Sequence, residues 1–509
     1  MLVTAGKGSL VSLAGTFMGK ALSLILRFLV IRLLGAKYFG FFAISMGLVA
    51  FVRIIVSIGL PRGGMRFLAK SLGSTNTKLL PQIINTAMMI PLILSLVGSG
   101  LFYLGADTIA NFWFHKVELI PIFRLFALAI PFVTLLKIGT ELSKGFYTTK
   151  YAVLVENFIV PILLILLFLC LYFVSHGFKA LIYGFIIANA VGAVCIVFFL
   201  FHQADRAFSI QQDLSISEFW LWWLSKGFSF EVIRYSFPLF LSGITAMLMG
   251  TIDVFMLGRF VDADMVGIYA AASMVAVFLS TSLVIPVNSI FAPLVAGHHH
   301  QNDLTAVSRL YLATTRWVAF LAVPLVSGVI LLRNYIMMIF GTGFVESGAN
   351  VLLILAIGHL INGLTGGVGQ ILSMAGHPKK ELCINLLIVI LNICLNIFLI
   401  PRYGIIGAAS ATSIALCLVN IFRVIVVFKI FKIQPFTVKL LRIFALGFFL
   451  VFANLLFQQF ISGGYDLLLA IGTCGVLIWF IVIRGLEPED RVVLREVWKR
   501  FNQLAVNKR

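Results

Sequence analysis

The sequence predicts an all-α polytopic membrane protein with about fourteen transmembrane helices. Of its 509 residues 61% are apolar and only 11% are charged, and its mean hydropathy is +1.08. A soluble globular chain carries roughly 25% charged residues, so this composition is typical of a chain whose surface faces lipid. The apolar residues also fall into separate runs of about 20 residues or more, the length that a helix needs to cross a bilayer.

The predicted spans form two sets of six, followed by two more. They lie near residues 10–34, 39–60, 79–104, 118–138, 152–175, 180–201, 234–257, 266–292, 308–332, 350–374, 381–400, 404–431, 438–461 and 466–484. The predicted domains are an N-terminal six-helix lobe at 1–202, a cytoplasmic amphipathic linker at 203–233, a C-terminal six-helix lobe at 234–432, two extra transmembrane helices at 433–484 and a cytoplasmic basic amphipathic tail at 485–509.

The distribution of Lys and Arg predicts the orientation of the chain. About 25 of these residues fall at one set of span ends and about 7 at the other, and cytoplasmic loops carry the excess. Both termini are therefore predicted to be cytoplasmic in a cell (inner, cytoplasmic) membrane, which agrees with an even number of spans. The net charge of +19 is explained by the same bias, so no nucleic-acid partner is expected.

An internal repeat organises the spans. The stretch Arg32–Ala43 aligns with Arg259–Ala270 at an offset of 227 residues, with Arg, Ala, Gly and the final Ala in common. At the same offset Gly177 aligns with Gly404. Six spans per repeat give both lobes the same orientation, so a pseudo-two-fold axis along the membrane normal should relate them. Halves of this kind usually hold substrate between them and rock to give alternating access.

The polar stretch between the lobes and the tail are both predicted to lie on the membrane surface. Trp220, Trp222 and Trp223 stand beside Lys226, a combination typical of the bilayer interface, although a tryptophan-lined ligand site is the alternative. The tail from Glu487 repeats apolar residues at helical spacing against Arg and Lys, which indicates an interfacial helix on anionic lipid or a partner-binding helix.

Motifs for catalysis, nucleotide binding and metal binding are absent from the sequence. There is no Walker A loop, no His-Glu-x-x-His, no nucleophile elbow and no Cys-x-x-Cys, and the six cysteines fall inside apolar spans. The run His298–His300 has no nearby Cys and is interpreted as a solvated loop. The chain is therefore expected to be neither an enzyme nor an ATP-driven pump, and no cofactor or metal is expected.

Cations inside the first two spans predict the binding site. Lys20 and Arg27 are seven residues apart, about two helical turns, and so share one face, while Arg53 follows in the second span. A charge at membrane depth costs at least about 2.5–3.5 kcal/mol, so it usually faces a cavity or a partner. Three cations of one sign favour an anionic, phosphorylated substrate group. Arg62 and Arg66 are placed to receive that group at the cytoplasmic mouth.

Two carboxylates inside spans are candidates for coupling or ion pairing. Asp253 is expected to pair with a cation across the repeat interface or to act as a proton site, and Glu156 is an acidic residue well inside the first lobe. For every ionisable residue in a span, snorkelling or an interhelical ion pair is the structural alternative. The run Gly363–Gly369 is interpreted either as close helix packing or as a flexible point in a gating helix.

Several motifs in a fixed order make the chain similar to a known family. They are Arg32–Gly40, Gly59–Arg62 with Arg66, Pro238 with Asp253 and Val266–Tyr269, Leu372–Pro378, and Leu395–Thr412. Over nearly its whole length the sequence resembles the polysaccharide-repeat-unit flippases (O-antigen and teichoic-acid type) of the multidrug/oligosaccharidyl-lipid/polysaccharide exporter superfamily.

This resemblance implies a substrate. It implies two six-helix lobes around a cavity and transport of an undecaprenyl-pyrophosphate-linked oligosaccharide to the outer leaflet, with membrane lipids and a polysaccharide polymerase or glycosyltransferases as partners. The related lipid II flippases carry basic cavity residues on their first two spans, where Lys20, Arg27 and Arg53 lie. The alternatives are an ion-coupled multidrug antiporter, for which an acidic residue in the first span would be expected, and a non-transporting membrane scaffold that docks through its tail.

Overall fold

The architecture is known from a computed structural model, which describes residues 2–73, 79–175, 177–209, 227–279, 295, 303–460 and 466–485. All regular secondary structure in these ranges is helical, as the sequence predicts. The tryptophan-rich segment around Trp222, the run His298–His300 and the tail beyond Gly485 lie outside them.

The helices of the described chain follow one another with short connections. In the first part of the chain they are α1 (Leu2–Ser57), α2 (Leu60–Gly73), α3 (Leu80–Thr108), α4 (Leu119–Ala127), α5 (Ile130–Gly145), α6 (Lys150–Val153), α7 (Val160–Ser175), α8 (Phe178–Ser209), α9 (Phe230–Phe260) and α10 (Ala263–Leu279). In the second part they are α11 (Leu304–Leu331), α12 (Arg333–Phe340), α13 (Val345–Leu364), α14 (Val368–Met374), α15 (Pro378–Phe431), α16 (Val438–Phe460) and α17 (Asp466–Phe480). Short π-helical segments continue α3 (Ile109–Phe114), α6 (Leu154–Ile159) and α17 (Ile481–Gly485).

The number of spans agrees with the sequence once two long helices are divided. Among the described residues, nine helices are long and apolar enough to cross a membrane, and the bent pair α4 and α5 makes a tenth. Helices α1 and α15 each contain one non-helical residue, Gly35 (φ 84°) and Gly404 (φ 55°), in the left-handed region that favours glycine. Each is therefore two spans, and the shorter apolar helices α10 and Leu467–Ile483 complete the predicted fourteen. The chain is a multi-pass membrane protein.

The described chain divides into two compact units. The first contains Met1–Ala270 and Asn396–Ile405, and the second contains Ala271–Leu395 and Ile406–Arg509. The boundaries of the two six-helix lobes remain a prediction.

Each unit has an apolar core of its own. In the first unit α2, α3, α5 and α8 pack around fully buried side chains, among them Leu68, Ile84, Ile138 and Leu200. In the second unit one cluster joins α11, α14 and α15 through Tyr311, Ile371 and Val427, and another joins α11 with α16 and α17. Because lipid is as apolar as these side chains, close packing rather than exclusion of water holds such helices together.

The two copies of the repeat meet in a reciprocal contact inside the first unit. A Cβ atom at Gly40 would overlap the backbone oxygen of Ala263, and a Cβ atom at Gly267 would overlap the backbone oxygen of Ala36. Residues 36 and 263, like 40 and 267, are equivalent at the offset of 227 that the sequence shows. When a two-fold axis relates two repeats, a contact of residue 40 with residue 263 is accompanied by the equivalent contact of residue 267 with residue 36, as observed here.

Candidate functional site

Lys20 and Arg27 lie on the first half of α1, beside its buried stripe. Each directly follows a buried residue, Gly19 and Leu26 respectively, so each projects next to the packed face. Lys20 is half-buried and Arg27 is exposed. Within the described part of the chain, neither side chain makes a hydrogen bond or an ion pair. An exposed guanidinium in a membrane-spanning helix requires water or an anion rather than lipid tails.

Arg53, on the second half of α1, has a different environment. Its half-buried side chain lies close enough to Glu156 and Glu141 to interact electrostatically with both carboxylates. Glu156 accepts a hydrogen bond of 2.8 Å from Lys137. Glu141 lies 2.9 Å from the Lys144 ammonium and 3.4 Å from that of Lys137. Among the described residues, the ion pairs of these two carboxylates are made with lysines, and the Arg53 side chain itself makes no hydrogen bond or ion pair with them.

Glu156 joins these ion pairs from a segment with an unusual backbone. It lies in the π-helical turn Leu154–Ile159, and the wider π turn rotates the following side chains relative to a regular α-helix. This segment packs closely on α1, because a Cβ atom at Gly19 would lie 2.6 Å from that of Asn157 and one at Gly15 would overlap Val153. The small residues spaced four apart, Gly15 and Gly19, therefore bring the segment with Glu156 against the helix that carries Lys20 and Arg53.

Arg62 and Arg66 are both exposed on α2, directly after the end of α1. The Arg66 guanidinium lies 4.4 Å from the centre of the Tyr235 ring on α9, a cation–π contact. Helix α2 approaches α9 closely, since a Cβ atom at Gly63 would overlap the Ser236 hydroxyl. Two exposed guanidinium groups one turn apart thus form a cationic surface at this end of α1.

Asp253 is 8% exposed on α9 and is held by two neutral donors. The Tyr269 hydroxyl donates to one of its carboxylate oxygens at 2.8 Å, and the Asn396 amide donates to the other at 2.9 Å. The sequence singles out Asp253 and Tyr269 in one motif but gives no signal that joins them to Asn396, which lies 143 residues away along the chain.

Two further charged residues inside spans form interhelical ion pairs, the structural alternative considered above. Arg124 donates to both oxygens of Asp107 at 3.0 and 2.8 Å. Arg423 pairs with Glu381 and also donates to the Asn385 side-chain oxygen at 2.8 Å. These cations have structural partners, which distinguishes them from Lys20 and Arg27.

Comparison with known proteins identifies the family. Residues 29–349, more than half of the chain, match the family model described as "Polysaccharide biosynthesis protein". The chain belongs to this polysaccharide biosynthesis family. The matched region includes Arg53, Glu156 and Asp253 and begins two residues after Arg27.

Two relatives of this family member were found by sequence. One is the "Uncharacterized membrane protein MJ1375" of Methanocaldococcus jannaschii, 23% identical over 431 residues that cover 82% of this chain and 97% of the relative. The other is the "Probable flippase AglR" of Haloferax volcanii, 28% identical over 134 residues. That match covers 26% of this chain and only 28% of the relative.

Solved structures show which fold this polysaccharide biosynthesis protein adopts. A lipid II flippase MurJ in an inward closed conformation superposes with a TM-score of 0.70 at 16% identity, covering 92% of this chain and 99% of that one. An inward-facing multidrug resistance MATE family transporter of the MOP superfamily superposes with a TM-score of 0.65 at 14% identity, covering 81% and 94%. The chain therefore has the fold of MOP superfamily transporters, and these structures are transporters and flippases rather than enzymes.

Proposed function

We propose that this protein is a flippase that moves a polyprenyl-pyrophosphate-linked oligosaccharide across the cytoplasmic membrane by alternating access, for cell-surface polysaccharide biosynthesis. The observation that carries the proposal is that Lys20 and Arg27 have no partner for their charges among the described residues. They lie on one face of a membrane-spanning helix without a hydrogen bond or ion pair among the described residues. Two such cations in a membrane-spanning helix favour a site that binds an anionic substrate during transport.

The chemistry of the pyrophosphate suits these side chains. A pyrophosphate that links two organic groups carries two negative charges, which Lys20 and Arg27 can neutralise, and Arg binds phosphate oxygens through two parallel hydrogen bonds. Arg53 is the third candidate, while Arg62 and Arg66 are exposed and would attract the head group before it enters. In this proposal both termini are cytoplasmic, the prenyl chain stays in lipid, and a polymerase or glycosyltransferases act on the same glycan.

A multidrug or cation antiporter is the second candidate, because the chain also has the fold of a MATE family transporter. That reading needs carboxylates that can take up a cation. Glu156 is instead paired with Lys137, and Asp253 accepts hydrogen bonds from Tyr269 and Asn396. In the first half of α1, the charged side chains are cations, which favours an anionic substrate.

The test is transfer of a prenyl-pyrophosphate oligosaccharide between the leaflets of proteoliposomes. Wild-type protein should transfer the lipid, and Arg27→Ala should abolish transfer while the variant remains well folded. Arg402→Ala is the matched control, because Arg402 is also an exposed arginine, without a hydrogen bond or ion pair in the described structure. Transfer that Arg27→Ala leaves unchanged would disprove the assignment of the site. Cation efflux in place of lipid transfer would support the antiporter.

A further inference from the structure

Asn157 lies in the π-helical turn Leu154–Ile159 and packs directly on α1. A Cβ atom built at Gly19 would lie 2.6 Å from the Asn157 Cβ atom, 2.8 Å from its Cγ atom and 2.9 Å from its amide oxygen. One turn earlier, a Cβ atom at Gly15 would overlap the Val153 side chain. The two segments therefore run side by side in the same direction, and the glycine at position 19 leaves room for the Asn157 amide.

This contact places the amide beside the two cations of the candidate site. Lys20 directly follows Gly19, and a helix turns by about 100° per residue, so Lys20 projects next to the face that packs on Asn157. Arg27, seven residues later, returns to the face of Lys20. Asn157 thus lies at the level of Lys20, at the edge of the helix face on which both cations stand.

The Asn157 amide has no partner within the protein. It is half-buried in the span Lys150–Val174, and it makes no hydrogen bond within the described part of the chain. An unpaired amide is costly among lipid tails or apolar side chains, whereas water or a ligand can supply the missing hydrogen bonds. The neighbouring residue Glu156, by contrast, is already paired with Lys137 at 2.8 Å. Asn157 is therefore open to a ligand, as the two cations beside it are.

From this arrangement, and resting on the function proposed above, we infer that Asn157 binds the sugar that is directly attached to the pyrophosphate. Lys20 and Arg27 already match the two negative charges of the pyrophosphate. An ionised phosphate oxygen only accepts hydrogen bonds, so it would leave the amide oxygen of Asn157 without a donor. A sugar hydroxyl both donates and accepts, and so it can pair with both ends of the amide. Because Asn157 stands beside Lys20, the first sugar is the part of the oligosaccharide within its reach.

An amide at this place gives the site a selectivity that cations alone do not provide. Lys and Arg bind a pyrophosphate whether or not a sugar is attached to it. A side chain that pairs with a sugar hydroxyl favours the glycosylated lipid, because a lipid without the sugar leaves the amide unpaired. Asn157 thereby distinguishes a carrier lipid that is loaded with sugar from an empty one.

The experiment titrates full-length protein with two probes that share a prenyl pyrophosphate. One probe is farnesyl pyrophosphate, and the other is farnesyl pyrophosphate that carries one N-acetylglucosamine residue. Asn157→Leu keeps a side chain of similar shape against Gly19 but removes both hydrogen bonds. It should bind the glycosylated probe about tenfold more weakly than the wild type does, and farnesyl pyrophosphate equally well. The variant is compared with the wild type for each probe separately, so the different charges of the two probes do not enter the result.

Two further variants provide the reference for this pattern. Arg27→Ala should weaken the binding of both probes, as expected of a residue that contacts the pyrophosphate. Asn189→Leu is the matched control, because Asn189 also lies in a span of the first unit, Phe178–Arg206, but donates at 2.8 Å to the Phe185 oxygen of its own helix. It should change neither affinity.

The pattern of affinities decides whether the inference holds. Equal losses for both probes in Asn157→Leu would mean that Asn157 contacts the pyrophosphate or supports the fold, and unchanged affinities would mean that it contacts no part of the substrate. Either result would overturn the inference. If Asn157→Leu does not fold, Asn157→Ala serves the same test. Wild-type protein that binds neither probe would instead refute the proposed function itself, so the two failures are distinguishable.

Discussion

Gly40 and Gly267 are equivalent residues of two repeats, and each packs against the backbone of the other's repeat. A Cβ atom at either position would meet a carbonyl oxygen, of Ala263 or of Ala36, instead of a side chain that can move aside. The second half of α1 and helix α10 are thereby brought to backbone contact. The sequence aligned these glycines, and the structure gives the physical reason for both: only a residue without a side chain fits.

Gly40→Ala should therefore destabilise the protein. The added methyl group forces the two helices apart, and overpacking of this kind typically costs about 1–3 kcal/mol. Thermal unfolding of the purified protein measures the effect. Gly100→Ala is the control, because a Cβ atom at Gly100 in α3 has open space around it and alanine is the better helix former. Equal unfolding temperatures for the two variants would contradict the backbone contact.

Substitution by Met should destabilise the protein at Arg423 but not at Arg27. Arg423→Met removes one partner of a pair with Glu381 whose side chains are 17% and 13% exposed, and it leaves a carboxylate without its cation. Such a loss typically costs about 3–5 kcal/mol, so the unfolding temperature should fall sharply. Arg27→Met breaks no hydrogen bond in the described structure and should leave stability unchanged or raised while it abolishes lipid transfer. A large loss of stability in Arg27→Met would mean that Arg27 has a structural role.

Most of the fold was predictable because its signals are local. Runs of apolar residues marked the spans, and Gly35 and Gly404 lie where two spans were predicted to join. The offset between the repeats aligned Gly40 with Gly267 as equivalent positions, whereas their packing against each other's repeat is seen only in the structure. The run Gly363–Gly369 was interpreted either as close helix packing or as a flexible point, and the structure has a break there: α13 ends at Leu364, α14 begins at Val368 and Gly366 has a φ of 61°.

The partners of Glu156 and Arg423 were not predictable, because each contact joins separate helical segments of the chain. Lys137 appeared in the sequence as one more cation at the cytoplasmic end of a span, and Glu156, its partner in the structure, lies 19 residues further along in the π-helical turn. Glu381 and Arg423 are 42 residues apart. Sequence patterns locate a charge within a span, but the side chain that compensates it depends on how helices pack.

Hydrogen bonds from Lys116 and Arg259 should slow amide hydrogen exchange. Each side chain donates to the backbone of the segment that contains the other residue. The Lys116 ammonium donates to the backbone oxygens of Gly258 and Val261 at the end of α9. The Arg259 guanidinium donates to those of Phe112 and Trp113, at 3.1 and 2.8 Å, at the end of the π-helical segment after α3. Cations at carbonyl-rich helix ends are stabilising.

Arg259→Ala should consequently speed amide exchange around residues 109–118 by about tenfold or more, because a hydrogen bond from a charged donor contributes about 1.5–3 kcal/mol. Lys116→Ala should do the same around residues 255–262. Hydrogen exchange followed by mass spectrometry resolves both segments. Arg402→Ala should leave the exchange of both unchanged, and protection that survives the first two substitutions would show that these hydrogen bonds do not hold the segments.

Exchanging the residues at positions 253 and 396 separates the contribution of Asp253 to folding from a role in ion coupling. In Asp253→Asn the new amide still offers one acceptor oxygen, but the charge that strengthens the hydrogen bonds from Tyr269 and Asn396 is lost, at a cost of about 1–3 kcal/mol. The exchange Asp253→Asn with Asn396→Asp places a carboxylate opposite an amide again, and stability should return towards that of the wild type. The carboxylate then stands on α15 instead of α9.

If a carboxylate at position 253 couples transport to an ion gradient, the double variant should fold normally yet transfer lipid without responding to the gradient. Full recovery of gradient-driven transfer would show that position 253 itself is not required, and failure to recover stability would show that the hydrogen bond is not what Asp253 contributes to folding.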